Sequence, residues 1–211
     1  VPPAQIARFH REREKLYGIL DPDERNAAFF KLHLEWFREW DLEKPLLDLL
    51  AGFKLLAGTV GAVGVVAFRK ARGKSEEGAD LFVNEIGQRT AVVALRAERF
   101  AQETALLDYL RHEFTHLQDM VDPAFGYSPE LHLPGWNSAQ QRLARERYRL
   151  LWDITIDGRL TAAGHPPMAA RAQHAAAFAG AYSFCPEDQQ ARVFDSLWQG
   201  TAPRHEELLN L

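Results

Sequence analysis

Residues 111–120 read Arg-His-Glu-Phe-Thr-His-Leu-Gln-Asp-Met, and within them His112, Glu113 and His116 form an H-E-x-x-H pattern. On a helix the two histidines lie one turn apart, so both imidazoles leave the same face. That spacing lets two ring nitrogens reach one Zn²⁺ at ~2.0–2.1 Å. Glu113 projects beside them, able to take a proton from a metal-bound water without occupying a coordination position. The competing reading is a chance surface pair in a chain with eight histidines. Context weakens it. Phe100, Thr104, Leu107, Leu110, Phe114 and Leu117 make an apolar stripe at helical spacing, and no Gly or Pro interrupts residues 97–121. Two ionisable histidines on a core-bound helix are costly without partners.

Hydrolytic zinc takes three protein ligands and keeps one position open. The stretch Leu151-Trp-Asp-Ile-Thr-Ile-Asp-Gly158 supplies Asp153 and Asp157, which share a helix face in apolar surroundings. Two carboxylates so placed repel each other and lose hydration unless a cation or donors await them. The expectation is that Asp153 ligates the metal and Asp157 accepts the second N–H of a ligating histidine. Asp157 and Asp122 are the alternative third ligands. Asp122 stands six residues after His116, where a chain turning back would bring a ligand to the metal, with Asp119 at the turn position. Both Asp119 and Asp122 lie near a helix C-terminus, where a negative charge opposes the dipole and calls for a tertiary partner.

The elements that must carry these residues follow from periodicity and punctuation. Residues 4–20 are predicted helical. Asp21 caps a second helix, with Pro22 at its first position and Glu24 closing a capping box. Phe29, Leu32, His33, Trp36, Phe37 and Trp40 give that helix an aromatic face, with His33 a packing residue. Pro45 opens a short third helix to about Leu56. Val63–Phe68, Asp80–Asn84 and Thr90–Arg96 are predicted strands of a small antiparallel sheet, joined through 73–78 and 87–89. The H-E-x-x-H helix is expected at Ala97–Val121, followed by a long loop over 123–137. Ser138 with Gln141 forms a capping box for a helix running to about Ala163. Helices at 167–182 and 186–199 and a short tail helix complete a single expected domain over 1–211, in parts 1–57, 60–121 and 138–211.

At 211 residues and 46% hydrophobic, the chain can bury one sizeable core. A net charge of −4 and a sequence pI near 6.1 give no footprint for nucleic acid. Arg142, Arg145, Arg147 and Arg149 alternate with Glu146, as on a solvated helix face. The single cysteine, Cys185, cannot make an intrachain disulfide, which fits a reducing compartment. The opening Val-Pro-Pro-Ala turns charged by Arg8 and lacks a secretory pattern. Leu46–Phe68 is apolar, but Asp48, Lys54, Gly52, Gly58, Gly61 and Gly64 interrupt it, so no membrane span is expected. A soluble, cytoplasmic protein is the expectation.

Three strands leading into an H-E-x-x-H helix, then a later helix with carboxylates at i and i+4, resemble the zincin metallopeptidases. The later helix is closest to the gluzincin-like branch, whose third ligand is acidic in a Glu-x-x-x-Asp pattern. Here the pattern is Asp153-x-x-x-Asp157, and the shorter ligand requires a closer helix. His112–Met120 is also similar to the active-site helix of the Mlc titration factor family. The resemblance covers roughly residues 60–160. It implies an α+β, zincin-like fold, with a small antiparallel sheet on the active-site helix and helical additions at both ends. It also implies a Zn²⁺ cofactor on His112, His116 and Asp153, and hydrolysis of a peptide or protein substrate with Glu113 as general base. Tyr127, Tyr148, His174 and Tyr182 are candidate oxyanion donors. Asp80–Asn84 or Thr90–Arg96 is a candidate edge strand for aligning an extended peptide. Two other classes stay open: a metal-retaining but silent zincin-fold binding or regulatory protein, docking through its aromatic N-terminal helices, and a zinc hydrolase of some other amide or ester.

Overall fold

The computed structural model describes residues 2–57, 65–129 and 135–211. It is a mixed α and β structure: nine α-helices and one three-stranded sheet among the described residues. Two compact units divide the chain, Val1–Leu49 and Leu50–Leu211.

The first unit pairs helix α1 (Pro3–Leu16) with α2 (Pro22–Glu39). The Asp21 carboxylate accepts from the N–H groups of Asp23 and Glu24, so the helix starts where the Asp-Pro signal places it. Phe9, His33, Trp36 and Trp40 interlock as edge-on and tilted rings, and Trp36 Nε1 donates to Glu12 at 2.8 Å. His33 contacts its own helix, Nδ1 to the Phe29 carbonyl, as a packing residue would. The third predicted helix is two, α3 (Lys44–Ala51) and α4 (Lys54–Ala57), because the chain breaks at Gly52.

In the second unit, β1 (Val65–Lys70), β2 (Gly78–Val83) and β3 (Arg89–Leu95) form a sheet in the order β1-β3-β2. The predicted start of β1 at Val63 lies outside the described residues. β2 and β3 are an antiparallel hairpin, but β1 runs parallel to β3. This corrects the expected antiparallel sheet. Residues 71–77, with a 3-10 turn at Lys74–Glu76, carry the chain past the end of β3, so β2 returns on its far side. The apolar run Arg-Thr-Ala-Val-Val-Ala-Leu then takes the centre, where Ala91, Val93 and Ala94 are buried. Thr90–Arg96 is therefore not an edge; β2 is.

Glu77 locks this crossover. Its carboxylate accepts from Arg99 Nε at 2.6 Å and Nη2 at 2.9 Å, and from the Arg96 N–H at 3.0 Å. Burial works against the charge, yet the Arg99 fork holds the Glu77 pKa down to about 2 from 4.5. The folded state thus prefers the ionised form. The resulting stability is present above pH ~4.5 and is lost as the pH falls through about 2. Glu77→Gln is expected to cost about 1–3 kcal/mol at pH 7. Urea midpoints of variant and wild type should converge toward pH 2; a pH-independent gap would remove the ionic account.

The H-E-x-x-H helix, α5 (Glu103–Val121), is preceded by a 3-10 turn at Ala97–Ala101 and an extended Gln102, so it starts later than Ala97. Tyr109 donates its hydroxyl to the Ala94 carbonyl of β3 at 2.7 Å, and Phe114 packs edge-on against Phe53 and Phe68. Helices α6 (Ser138–Ala162), α7 (Arg171–Ala181), α8 (Glu187–Gln199) and α9 (His205–Leu209) follow. The cap of α6 is Asn137 with Gln140, one residue before the expected Ser138 and Gln141 pair. Both pairs fit the spacing, and Asn is at least as good a cap as Ser.

Helix α6 is the central element of this core, with Leu151, Ile154 and Ile156 essentially inaccessible and Trp152 nearly so. Each such aliphatic side chain contributes about 1.5–3 kcal/mol by burial. Gly158 lets α8 approach: a Cβ there would stand 2.1 Å from the Trp198 carbonyl oxygen. Both contacting parts are backbone, so neither can yield cheaply. Gly158→Ala is expected to destabilise the fold by more than about 3 kcal/mol, read as a fall in thermal midpoint. A midpoint within a degree of wild type would refute this packing. No described helix is long and apolar enough to cross a membrane.

Candidate metal centre

Helices α5 and α6 each bring one half of the centre. They are tied together by Asp119 of α5, which accepts from Trp152 Nε1 at 2.8 Å and Arg159 Nη1 at 2.9 Å. This clamp sets the rotation of α6 so that Asp153 faces the histidines. His116 Nε2 stands 2.9 Å from Asp153 Oδ1, His112 Nε2 stands 3.7 Å from the same oxygen, and the two Nε2 atoms are 3.2 Å apart. Tetrahedral zinc with bonds of ~2.0–2.1 Å would separate its ligand atoms by about 3.4 Å. The triangle brackets that value. Among the described residues, His112, His116 and Asp153 form one group that could hold a metal ion.

Asp157 completes the arrangement from behind. It is fully buried, and its Oδ1 accepts from His112 Nδ1 at 2.8 Å and from the Met168 N–H at 3.0 Å. Its Oδ2 accepts from the Ala169 N–H at 2.9 Å and meets His174 Nε2 at 2.8 Å. Because His112 gives its Nδ1 proton to Asp157, a neutral His112 turns a lone pair toward the triangle. Three electron-rich atoms then converge on one point. Burial alone would lower the His112 pKa, but the carboxylates of Asp153 and Asp157 outweigh it and raise it to about 9. Burial likewise opposes ionisation of Asp153 and Asp157, and their histidine partners hold both well below the usual carboxylate range.

Glu113 has a different environment. It is buried, its carboxylate accepts no hydrogen bond among the described residues, and it lines a cleft of about 400 Å³ with His116. Burial pushes its pKa up, partly offset by the charges of His116, His112 and Arg149. A carboxylate whose charge burial disfavours accepts a proton more readily than a solvated one, as a general base must. The cleft floor is the start of β2, Gly78 to Asp80, and its far wall includes Tyr148, Arg149 and Trp152 of α6.

The remaining sequence candidates have other partners. Asp119 serves the helix clamp, and Asp122 accepts from the Ala124 N–H as α5 ends. Of the candidate oxyanion donors, Tyr148 lines the cleft, but its hydroxyl is engaged by His205 Nδ1 at 2.7 Å. His174 lies behind Asp157, Tyr127 packs on Trp152 and His205, and Tyr182 stacks on Phe178. The arginine stripe splits: Arg142 pairs with Glu146 in solvent, Arg147 lies over Tyr182 and Phe184, and Arg149 enters the cleft. Sequence reasoning missed His174 as the second support of Asp157 and Arg149 as a cleft residue. The one available signal was spacing: Arg149, Asp153 and Asp157 fall at successive turns of one helix face.

No protein-family model, curated protein or solved structure gives a significant match to this chain.

Proposed function

We propose that this chain is a zinc-dependent hydrolase acting on peptide bonds. The observation that carries the reading is the convergence of His112 Nε2, His116 Nε2 and Asp153 Oδ1 at ligand spacing, in an open cleft beside the Glu113 carboxylate, which has no hydrogen-bond partner among the described residues. A structural metal site has no use for Glu113 in that position, which favours hydrolysis over a silent binding role. When bound, zinc would supply Lewis acidity, polarising a substrate carbonyl and making water a better nucleophile. His112 and His116 would hold it with neutral imidazoles, and Asp157 keeps His112 in the required tautomer. Glu113 takes a proton from water during attack and returns it to the leaving amine. The exposed backbone of β2 offers hydrogen bonds to an extended peptide lying in the cleft.

Elemental analysis of the purified protein and of His116→Ala tests the first step. About one zinc per chain is expected in wild type and little in the variant. Wild-type protein that holds no metal after zinc loading and dialysis would end this reading.

A further inference from the structure

The cleft carries two guanidinium groups that the hydrolytic chemistry does not use. Arg149 projects from α6 one turn before Asp153, and Arg69 comes from β1. Arg69, Ala94 and Gly78 stand in one row across the sheet, and residues in one row point to the same face. Gly78, at φ +149°, contributes no side chain to that row, and Arg149 Nη2 fills the space above it. A Cβ on Gly78 would lie 3.3 Å from that nitrogen. Both arginines thus line the same cleft as the start of β2, Glu113 and His116.

Neither has a carboxylate partner among the described residues, although carboxylates are close by in sequence and space. Glu77 is taken by Arg99 and Arg96, and Glu76 accepts from the Arg72 N–H. Glu113 attracts Arg149 at longer range without bonding to it. A guanidinium fork left open in a cleft matches a planar carboxylate, which it can grip with two parallel N–H donors. A dianionic phosphate fits less well, because Glu113, Glu76 and Asp80 line the same cleft and would repel the second charge.

We propose that Arg149, assisted by Arg69, receives a carboxylate of the substrate, so that the cleft selects peptides carrying a free C-terminus or an acidic side chain beside the bond to be cut. This rests on the hydrolase reading above. It assigns the two arginines a positioning and selecting role, with Glu113 left to the proton transfer.

Three probes separate the possibilities on zinc-loaded protein: a dipeptide N-hydroxamate with a free C-terminal carboxylate, its C-terminal amide, and that amide with Glu as the second residue. Calorimetric titration should show the free acid or the Glu amide binding at least about tenfold more tightly than the plain amide, and whichever is favoured names the source of the carboxylate. The acid-to-amide ratio should collapse to about one in Arg149→Ala, fall in Arg69→Ala, and survive in part in Arg149→Lys, which keeps the charge but not the fork. Equal binding of all three probes to wild type overturns the proposal. So does a ratio that persists in Arg149→Ala, including the case in which acid and amide weaken together. Zinc stoichiometry in the same samples keeps the two readings apart. Protein without zinc fails the hydrolase reading and this one with it, whereas a zinc-loaded protein indifferent to carboxylate fails only this one.

Discussion

Glu113→Gln is expected to bind zinc like wild type and to lose peptide turnover by about 10²–10⁴-fold. The two side chains are isosteric, and Glu113 is not a member of the ligand triangle, so the site should keep its shape. What the amide cannot do is accept a proton from water and hand it to the leaving amine. Burial already disfavours the charged carboxylate, so the metal-free variant should be at least as stable as wild type at pH 7. The check is a peptide-library digest read by mass spectrometry, with zinc content measured on the same preparations. A variant that cleaves at the wild-type rate would remove Glu113 from the base role. A variant that has lost its zinc would instead show that the carboxylate supports the metal.

The second large effect separates two aspartates one turn apart on the same helix. Asp153→Ala removes a member of the triangle and should lower zinc affinity by far more than the 10–100-fold typical of losing an outer hydrogen-bond partner. Its cost to the metal-free fold should be smaller than that of Asp157→Ala, because the side chain is 29% exposed and His112 keeps its bond to Asp157, although His116 Nε2 loses its carboxylate partner. Asp157→Ala should do the reverse. It strands the buried His112 Nδ1 and His174 Nε2, and takes the acceptor from the part-buried N–H groups of Met168 and Ala169. The expected cost is about 3–5 kcal/mol of stability, with a zinc loss of only about 10–100-fold where the protein still folds. Competition against a chromophoric chelator gives the affinities, and urea unfolding of the metal-free proteins gives the stabilities. If Asp157→Ala lost more zinc affinity than Asp153→Ala, the two roles would have to be exchanged.

Much of the centre is legible in local sequence because its parts repeat at helical spacing. His112 and His116 share a face by backbone geometry alone, and Asp153 and Asp157 do so on their own helix. The capping signals were legible for the same reason: Asp21-Pro22 places α2 unambiguously, whereas Asn137 and Ser138 both satisfy the cap spacing and only the folded chain selects the first. The sheet shows where local reading ends. Three short apolar runs are visible, but nothing within any of them says that β3 lies in the middle or that β1 runs parallel to it. That order depends on how residues 71–77 cross the end of β3, and on Glu77 meeting Arg99 more than twenty positions on.

By itself, then, the amino-acid sequence determined the candidate ligand pair, the neighbouring carboxylate and the two aspartates that could complete the centre, since each relation spans a single helical turn. Tertiary structure decided which aspartate faces the histidines, because the rotation of α6 is set by Trp152 and Arg159 converging on Asp119, contacts 33 and 40 residues apart in the chain. It also decided that His174 stands behind Asp157 and that Arg149 turns into the cleft over Gly78. These depend on the close approach of elements distant in sequence, and such contacts leave no period for a sequence to display.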